Sequence, residues 1–380
     1  MSFSPLQVGY IANTITPVPA GGYVKAALDL FDQKPDLEVV PIAGEDGTVL
    51  GVVSRKITAN FAVSAVYRGY QKNLKDFLIP FRGILEGRDF ISRIVDKNLK
   101  IDQGEYPAWF AIHHNRRYLG IVSLQYMLEY INTLRSQDMK TAGEIQKNIL
   151  GKSVPQDSRF RLFFYNQMAH EIGGDYYHVF SNGTDRYLIG CFDVSGKNIA
   201  GSMAAMALGA CFSTLELFKY HETPEKITRL LNSLIKDVAP LGYFVAAVLF
   251  HIDFSSKALV IHNCGFSPVS VFKPLDDKKI GHKILEPGLP PLGIEETLDL
   301  NEGQIVPIVE GLRISTYSDG FTDMTNSFGE RFGEEKTGDV LKKLHHCSRE
   351  QMKINLDREI RQWIGEASLA DDLTLMDLRF

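Results

Sequence analysis

The chain lacks several features that would place it in a secreted, membrane or soft-metal class. Its four cysteines, Cys191, Cys211, Cys264 and Cys347, are scattered without metal-ligand spacing. This pattern favours a reducing compartment over a disulfide framework, so we expect a cytoplasmic protein. No apolar run approaches the roughly 20 residues of a membrane span, so no membrane is expected as a partner. The start, Met-Ser-Phe-Ser-Pro, lacks the basic and apolar regions of an export signal.

An excess of positive charge is also missing. The sequence has 41 Lys and Arg against 46 Asp and Glu, a formal net charge of -5. A strongly basic face is therefore not indicated, and nucleic acid is not expected as a partner. At 380 residues the chain is too long for one ordinary core, so two or three domains are expected.

The first third of the sequence contains one unit twice. Each copy has a helical stretch and two β-like runs joined by a turn, although the second helical stretch matches less closely. A unit used twice often packs against itself about a pseudo-two-fold axis. The segments are Tyr23–Phe31, Leu37–Ala43 and Thr48–Val53 in the first copy, and Phe90–Val95, Pro107–Ile112 and Tyr118–Val122 in the second.

This region resembles a tandem CBS pair, also called a Bateman module. The residues that carry the resemblance are Val40–Ile42, Asp46–Gly47, Gly51–Ser54, Phe110–Ile112 and Gly120–Ser123. The resemblance covers residues 7–132, and we assign residues 1–132 to the module. It implies a regulatory input that binds adenine nucleotides. Ile57 and Tyr126 stand where the family typically has a ribose-binding aspartate, so a dimerisation or docking module without a ligand stays open.

Residues 133–154 are predicted to be a helical linker. Met127, Ile131 and Leu134 lie on one helical stripe, as do Ala142, Ile145 and Ile149. The polar run Ser136–Asp138 interrupts the stripe, and Thr141–Glu144 has the pattern of a capping box. One long helix and two helices meeting at a hinge are both compatible with this pattern, as are a signalling linker and a rigid spacer. The apolar faces of the linker and of the repeat predict a homodimer.

The last part of the chain, residues 155–380, alternates long β-like runs with helices. This order favours an α+β sandwich over an alternating parallel sheet. Thr223 followed by Pro224 is typical of a helix start. The predicted strands are Phe160–Tyr165, Tyr187–Phe192, Phe244–Phe254, Ala258–Asn263 and Leu312–Tyr317, and the predicted helices are 200–218, one beginning at Pro224, and 349–363.

Aspartates follow or precede β-like runs at four distant places in this part: Asp175, Asp193, Asp319 and Asp371. A single aspartate beside glycine is usually a turn residue. Four of them suggest carboxylates that converge on one spot, where they would repel each other without cations. Oxygen ligands without clustered His or Cys favour Mg²⁺ or Mn²⁺ over zinc.

Residues 155–380 resemble a metal-dependent, PPM-type serine/threonine phosphatase of the SpoIIE-like branch. The motifs occur in the family's order: Glu171–Tyr177, Phe192–Lys197, Asn263–Pro268, Pro291–Gly293, Tyr317–Asp323, Phe332–Gly333 and Asp371–Leu375. The resemblance implies a central β-sandwich flanked by helices. It also implies that two divalent cations, Mn²⁺ or Mg²⁺, are bound by Asp175, Asp193, the Val194 carbonyl, Asp319 and Asp371. Asp193 and Asp175 are the expected catalytic residues, and a metal-bound hydroxide would attack phosphorus directly.

Some residues near these motifs receive a different interpretation. Asp372 is expected to support the site rather than to bind metal. His178 and Phe266 stand where family members often have Asp and His, and Asn198 stands where a glycine is expected. Lys197 either contacts phosphate or is a surface lysine. No histidine is spaced to activate Ser195, so a covalent serine mechanism is not expected.

The sequence therefore predicts a phosphoserine/phosphothreonine protein phosphatase governed by an N-terminal CBS pair. SpoIIE-like relatives typically act on partner-switching proteins of the anti-sigma-antagonist type, which makes such a phosphoprotein the expected substrate. A non-catalytic pseudophosphatase scaffold is the alternative from another class. A two-metal phosphohydrolase acting on a small molecule is a third possibility.

Overall fold

The computed structural model divides into two compact units, Met1–Asp138 and Met139–Phe380. Their boundary falls inside the predicted linker of residues 133–154. The structure describes residues 2–64, 72–98, 108–150, 154–155, 157–181, 185–196, 199–218, 222–239, 242–275, 280–300 and 303–380.

The first unit repeats one topology: a short strand, a helix, two antiparallel strands and a second helix. The first strand of each copy pairs in parallel with the second. The strands are β1 (Val18–Pro19), β2 (Val39–Ala43), β3 (Val49–Ser54), β4 (Ile79–Pro80), β5 (Gly83–Glu86), β6 (Trp109–His114) and β7 (Arg117–Ser123). The helices are α1 (Val24–Gln33), α2 (Arg55–Ser64), α3 (Ile91–Asn98) and α4 (Leu124–Leu150). Their sheets have the orders β1-β2-β3-β4 and β5-β6-β7.

Each copy is completed by the segment that precedes the other copy. Strand β4, just before the second copy, pairs with β3 of the first, and Asn13, just before the first copy, bridges to Ile121 in β7. Gly51 and Gly120 occupy equivalent positions at these contacts. A Cβ atom would lie 2.2 Å from the Ile79 carbonyl oxygen at Gly51 and 2.6 Å from that of Asn13 at Gly120. The close backbone approach explains why both copies have glycine there.

Helix α4 is one continuous helix from Leu124 to Leu150. The alternative of two helices is wrong, and Thr141–Glu144 lies within the helix instead of capping it. The middle of the helix, residues 135–138, is exposed to solvent. Good helix formers such as Leu134, Arg135 and Met139 carry the helix through this polar stretch.

The second unit is built on two five-stranded antiparallel sheets with the orders β15-β12-β11-β10-β9 and β14-β13-β16-β17-β8. The strands are β8 (Arg161–Gln167), β9 (Tyr176–Ser181), β10 (Arg186–Val194), β11 (Val245–Asp253), β12 (Ala258–Cys264), β13 (Val269–Pro274), β14 (Ile280–Leu285), β15 (Gln304–Pro307), β16 (Arg313–Tyr317) and β17 (Leu373–Arg379). The helices are α5 (Ile199–Leu217), α6 (Pro224–Val238), α7 (Gly320–Asp323), α8 (Gly333–Lys343) and α9 (Arg349–Ile364). The mixed α+β architecture and the five predicted strands are confirmed to within two residues at each end.

Alternation along the strands separates three cores. In β11, Val248 and Phe250 face the second sheet, whereas Ala247 and Leu249 face α5 and α6. On the far side, Leu375 of β17 packs with α8 and α9. The layers are therefore helices, sheet, sheet and helices, which is the predicted β-sandwich flanked by helices.

Two helices of this unit show how local sequence acts. The Thr223 side chain caps α6 by accepting from the Lys226 N–H, with Pro224 at the first position, as predicted. Among the described residues, α5 is the one helix that is long and apolar enough to cross a membrane, and 44% of its most apolar stretch is buried. Its buried face, which includes Leu208 and Phe212, packs into the core, and buried core helices commonly have such a composition.

Candidate metal centre

The strands bring the four predicted aspartates to one edge of the sandwich. Asp175 precedes β9 and Asp193 is the next-to-last residue of β10, and these strands are neighbours in which Tyr176 pairs with Phe192. In the other sheet, Asp319 follows β16 and Asp371 comes shortly before the neighbouring β17. Both pairs of strand ends therefore meet at the same edge, although their positions in the sequence are up to 196 residues apart (371 − 175).

One cleft at this edge is lined by Asp175, Asp193, Val194 and Asp371. The carboxyl group of Asp319 lies within hydrogen-bonding reach of that of Asp193. The structure thus collects all five predicted ligand residues. Within the described residues, however, no three Asp, Glu, His or Cys side chains are drawn in closely enough to surround a single ion. The acidic groups therefore lie in one cleft, but in the described part of the chain three of them do not converge on a single point.

The electrostatics of the cleft are unfavourable for its carboxylates. Burial, followed by the charges of Asp319 and Asp371, raises the pKa of Asp193 to about 8. Burial and the charge of Asp193 raise the pKa of Asp175 well above its ordinary value. Such shifts mean that the ionised forms lack a compensating positive charge. A cation among these oxygens would supply that charge.

Asp175 gives the most direct test of whether a metal ion fits. Asp175 is 3% exposed, and the nearby Ser318 and Thr374 hydroxyls partly offset the rise of its pKa. Its Oδ2 atom is buried and has no hydrogen-bond partner among the described residues. A buried acceptor without a donor is rare in folded proteins. Together with an all-oxygen donor set, this atom suits a hard divalent cation.

Glycines let backbone segments approach each other closely around the cleft. A Cβ atom on Gly174 would lie 2.9 Å from the Val194 carbonyl oxygen, and one on Gly320 would lie 2.0 Å from that of Asp372. Gly196 has a φ of +93°, a conformation that favours glycine. The glycines of the motifs are therefore needed for backbone geometry at this edge.

Asp372 holds the loop that carries Asp175. Its carboxylate accepts from the backbone N–H groups of Ala169 (2.8 Å), Gly174 (2.8 Å) and Asp175 (3.3 Å). These three donors occupy its oxygens, which agrees with its predicted supporting role.

Four further residues of the site were missed in the sequence. The Ser318 N–H donates to the Thr374 carbonyl oxygen (2.8 Å), the Thr374 N–H donates to Ser318 Oγ (3.0 Å), and both hydroxyls lie near enough to Asp175 to lower its pKa. They are polar residues at the ends of apolar strands, which is the signal that could have found them. The buried Gln146 of α4 bonds the backbone of Gly173. His170 lines the cleft beside the carboxylates, but nothing marks it in the sequence apart from its nearness to the Glu171–Tyr177 motif.

The other residues considered in the sequence analysis have structural contacts or lie outside the described residues. Ser195 Oγ accepts from the Phe244 N–H at 2.8 Å, so this hydroxyl joins two loops. His178 is buried, shares a hydrogen bond with the Tyr176 hydroxyl and stacks on Phe212. Phe266 is buried between the sheets. Lys197 and Asn198 lie outside the described residues.

The chain is similar to known phosphatases. A family model for "Stage II sporulation protein E (SpoIIE)" matches residues 183–380, just over half of the chain. The phosphoserine phosphatase RsbU of Bacillus subtilis (strain 168) is 24% identical over 297 residues, which cover 75% of this chain and 85% of RsbU. Protein IcfG of Synechocystis is 24% identical over 321 residues, 74% of this chain, and the match spans about half (48%) of IcfG.

A solved structure shares the fold. The SiaA-PP2C domain of Pseudomonas aeruginosa aligns with a TM-score of 0.54 at 20% identity, covering 66% of this chain and 98% of that domain. The C-terminal unit therefore has a PP2C-like fold.

Proposed function

Because this chain belongs to the SpoIIE family and is a serine/threonine protein phosphatase, we propose that its acidic cleft is the catalytic centre and binds two divalent cations. The proposed ligands are the carboxylates of Asp175, Asp193, Asp319 and Asp371 and the carbonyl oxygen of Val194. Phosphatases of this type use divalent metals, and we propose Mn²⁺ or Mg²⁺ here. The observation that carries the proposal is the unpartnered, buried Oδ2 of Asp175 beside Asp193.

The chemistry needs little from the protein beyond this cleft. Bound divalent cations would neutralise the phosphate and acidify a water molecule for in-line attack on phosphorus. A protein nucleophile is then unnecessary, which fits the engagement of Ser195 with Phe244. The carboxylates would bind the cations, while Asp372 accepts from the Asp175 N–H and the Ser318 and Thr374 hydroxyls favour the ionised form of Asp175.

We assign the proton for the leaving serine or threonine oxygen to His170. It lines the cleft, is exposed and forms no hydrogen bond with the described residues. Histidine is the side chain that most often transfers protons in enzyme active sites, which suits a general acid. His170→Ala should lower kcat on a phosphoserine protein about 100-fold. An aryl phosphate should be hydrolysed almost normally, because its leaving group needs no proton. Equal losses on both substrates would remove this assignment.

The proposed substrate is a phosphorylated partner-switching protein of the anti-sigma-antagonist type. Similarity to the phosphoserine phosphatase RsbU over most of both chains supports this choice. Among phosphoproteins of comparable size, such a protein should be dephosphorylated with the highest kcat/KM. Equal rates on unrelated phosphoproteins would argue against it.

We also propose that the N-terminal unit is a CBS pair that regulates the phosphatase, binds adenine nucleotides and forms a homodimer. Its support is the repeated topology and the reciprocal completion of each copy at Gly51 and Gly120. Calorimetric titration with AMP and ATP tests ligand binding, and light scattering tests the dimer. A flat titration would leave a docking module without a ligand.

The central test is metal-dependent turnover by the full chain. Wild type should hydrolyse an aryl phosphate and a phosphoserine protein when Mn²⁺ is added, and a chelator should abolish both activities. Asp193→Asn should lose at least about 100-fold in activity, the upper end of what residues that only support metal ligands contribute. Asp185→Asn, a carboxylate at the other end of β10 that pairs with Arg159, is the matched control and should retain activity. Wild type that stays inactive on every phosphoprotein with Mn²⁺ would favour the scaffold alternative.

A further inference from the structure

Helix α4 contributes one buried polar side chain to the metal-binding edge. Gln146 is 1% exposed. Its Nε2 donates to the Gly173 carbonyl oxygen at 2.7 Å, and its Oε1 accepts from the Gly173 N–H at 3.1 Å. A single amide thus satisfies both backbone polar groups of one glycine, two residues before Asp175.

The backbone of α4 lies directly against the same loop. Gly143, one turn before Gln146, has no room for a side chain, because a Cβ atom there would lie 2.3 Å from the Glu171 carbonyl oxygen. At the end of the helix, a Cβ atom on Gly209 of α5 would lie 2.5 Å from the Leu150 side chain. The last turns of α4 are therefore seated against both the Glu171–Gly173 segment and α5.

The same loop is also held by Asp372, which accepts from the N–H groups of Gly174 and Asp175. The peptide groups of Gly173, Gly174 and Asp175 are thus fixed between Gln146 and Asp372. Asp175 is the last residue of this segment. The position of its carboxylate therefore depends on the contacts of both Gln146 and Asp372.

We infer that Gln146 is a positioning residue for the metal centre, setting the backbone at Gly173 so that Asp175 presents its carboxylate to the cleft. Gln146 does not line the cleft, so it would act only through Asp175. The inference rests on the proposed function, because it assumes that Asp175 binds metal.

The chemistry of the contact explains why glutamine stands there. A primary amide offers one donor and one acceptor side by side, which matches the C=O and N–H of a single residue. A glutamate would place a carboxylate oxygen against the Gly173 carbonyl, and an alanine would leave both groups of Gly173 buried without partners. Both substitutions should release the loop, and glutamate should release it more because it adds repulsion.

The experiment compares full-length wild type, Gln146→Ala and the control Asn148→Ala, which removes an exposed amide from the same turn of α4. Mn²⁺ binding is measured by calorimetry, and hydrogen exchange of residues 168–176 is measured in metal-free protein. Gln146→Ala should weaken Mn²⁺ binding about 10- to 100-fold, as loss of a residue behind a metal ligand usually does. It should also speed exchange in this segment, and saturating Mn²⁺ should restore most of kcat. Asn148→Ala should match wild type in all three measurements.

Several results would overturn the inference or separate it from the metal proposal. Unchanged Mn²⁺ affinity and unchanged exchange in Gln146→Ala would refute the positioning role. Wild type that binds no Mn²⁺ would instead refute the metal centre and the inference that rests on it. If Gln146→Ala does not fold, Gly143→Ala pushes on the Glu171 carbonyl without removing a buried polar group. It should weaken Mn²⁺ binding in the same direction, and wild-type affinity in that variant would overturn the inference.

Discussion

The carboxylates at the two ends of strand β17 differ in their neighbours: one is paired with arginines, and the other lies among further carboxylates. Near the end of the strand, Asp377 is 1% exposed and accepts from Arg313 Nε (2.5 Å), Arg379 Nε (2.6 Å) and Ser315 Oγ (2.7 Å). At the start of the strand, Asp371 lies in a cleft with Asp175 and Asp193. No described Arg or Lys forms an ion pair with Asp175 or Asp193.

The difference separates a structural carboxylate from a ligand-binding one. A buried charge is tolerated when it is paired and hydrogen-bonded, as Asp377 is. The fold supplies two arginines for one aspartate at that end, so cationic side chains are available to it. At the other end, Asp175 is buried and Asp193 is half-buried, and neither forms an ion pair with a described Arg or Lys, which indicates that their positive charge comes from outside the chain.

The largest effect on stability is expected when the paired aspartate, Asp377, is replaced. Asp377→Asn leaves Arg313, whose side chain is 2% exposed, as a buried charge with a weakened partner. The free energy of unfolding should fall by about 3–5 kcal/mol, the range seen when one member of a buried pair is removed. Urea unfolding measures this change. Asp339→Asn, whose partner Lys342 is exposed, is the control and should change stability by less than about 1 kcal/mol. Equal effects of the two variants would contradict the contrast.

The second variant probes the carboxylate that supports the cleft without binding metal. Asp372→Asn keeps one acceptor for the N–H groups of Ala169, Gly174 and Asp175 but loses the charge and the second oxygen. Mn²⁺ affinity should fall about 10- to 100-fold, less than for loss of a ligand. Calorimetric titration measures the affinity, with Asp193→Asn as the reference. A larger loss in Asp372→Asn than in Asp193→Asn would exchange the roles that we assign.

The smallest expected effect is the pH dependence of stability without metal. The folded-state pKa of Asp193 is raised to about 8 from an ordinary 3.8, so between these values the folded state binds more protons than the unfolded state. The free energy of unfolding of metal-free wild type should therefore decrease from pH 5 to 8, on the order of 1–2 kcal/mol. Asp175 contributes in the same direction.

The variant Asp193→Asn tests whether Asp193 causes this pH dependence of stability. An asparagine cannot ionise, so the metal-free variant should lose less stability as pH rises and should melt at the same or a higher temperature than wild type at pH 8. Denaturant unfolding at pH 5 and pH 8 in the presence of a chelator measures both proteins. Parallel pH curves would show that Asp193 is not strained by its neighbours.

Much of the fold could be predicted because its signals are local. Runs rich in β-branched and aromatic residues predicted five of the strands between Phe160 and Tyr317, and Thr223-Pro224 predicted the start of α6, which begins at Pro224. The continuity of α4 could not be predicted in the same way. Thr141–Glu144 has a valid capping pattern, and whether a helix starts or continues there depends on what its faces contact.

The residues of the candidate site also fall into those that local sequence predicted and those that only tertiary contacts placed. The four aspartates were predicted from motifs in which each stands near the end of a β-like run. The roles of Gln146, Ser318 and Thr374 were not predicted, because each acts on a residue at least 27 positions away in the sequence. His170 was missed because only the shape of the cleft places it beside the acidic groups.

By itself, the sequence determined five strands of the second unit, the start of α6 and which carboxylates are candidates for metal binding, because apolar runs and turn chemistry are properties of neighbouring residues. Only the tertiary structure decided that these carboxylates share one edge, that Asp175 keeps an unpartnered oxygen there, and that an amide from α4 holds its loop. These contacts depend on how two sheets and a helix pack against each other. Packing brings together residues that are far apart in the sequence, and no local pattern predicts such contacts.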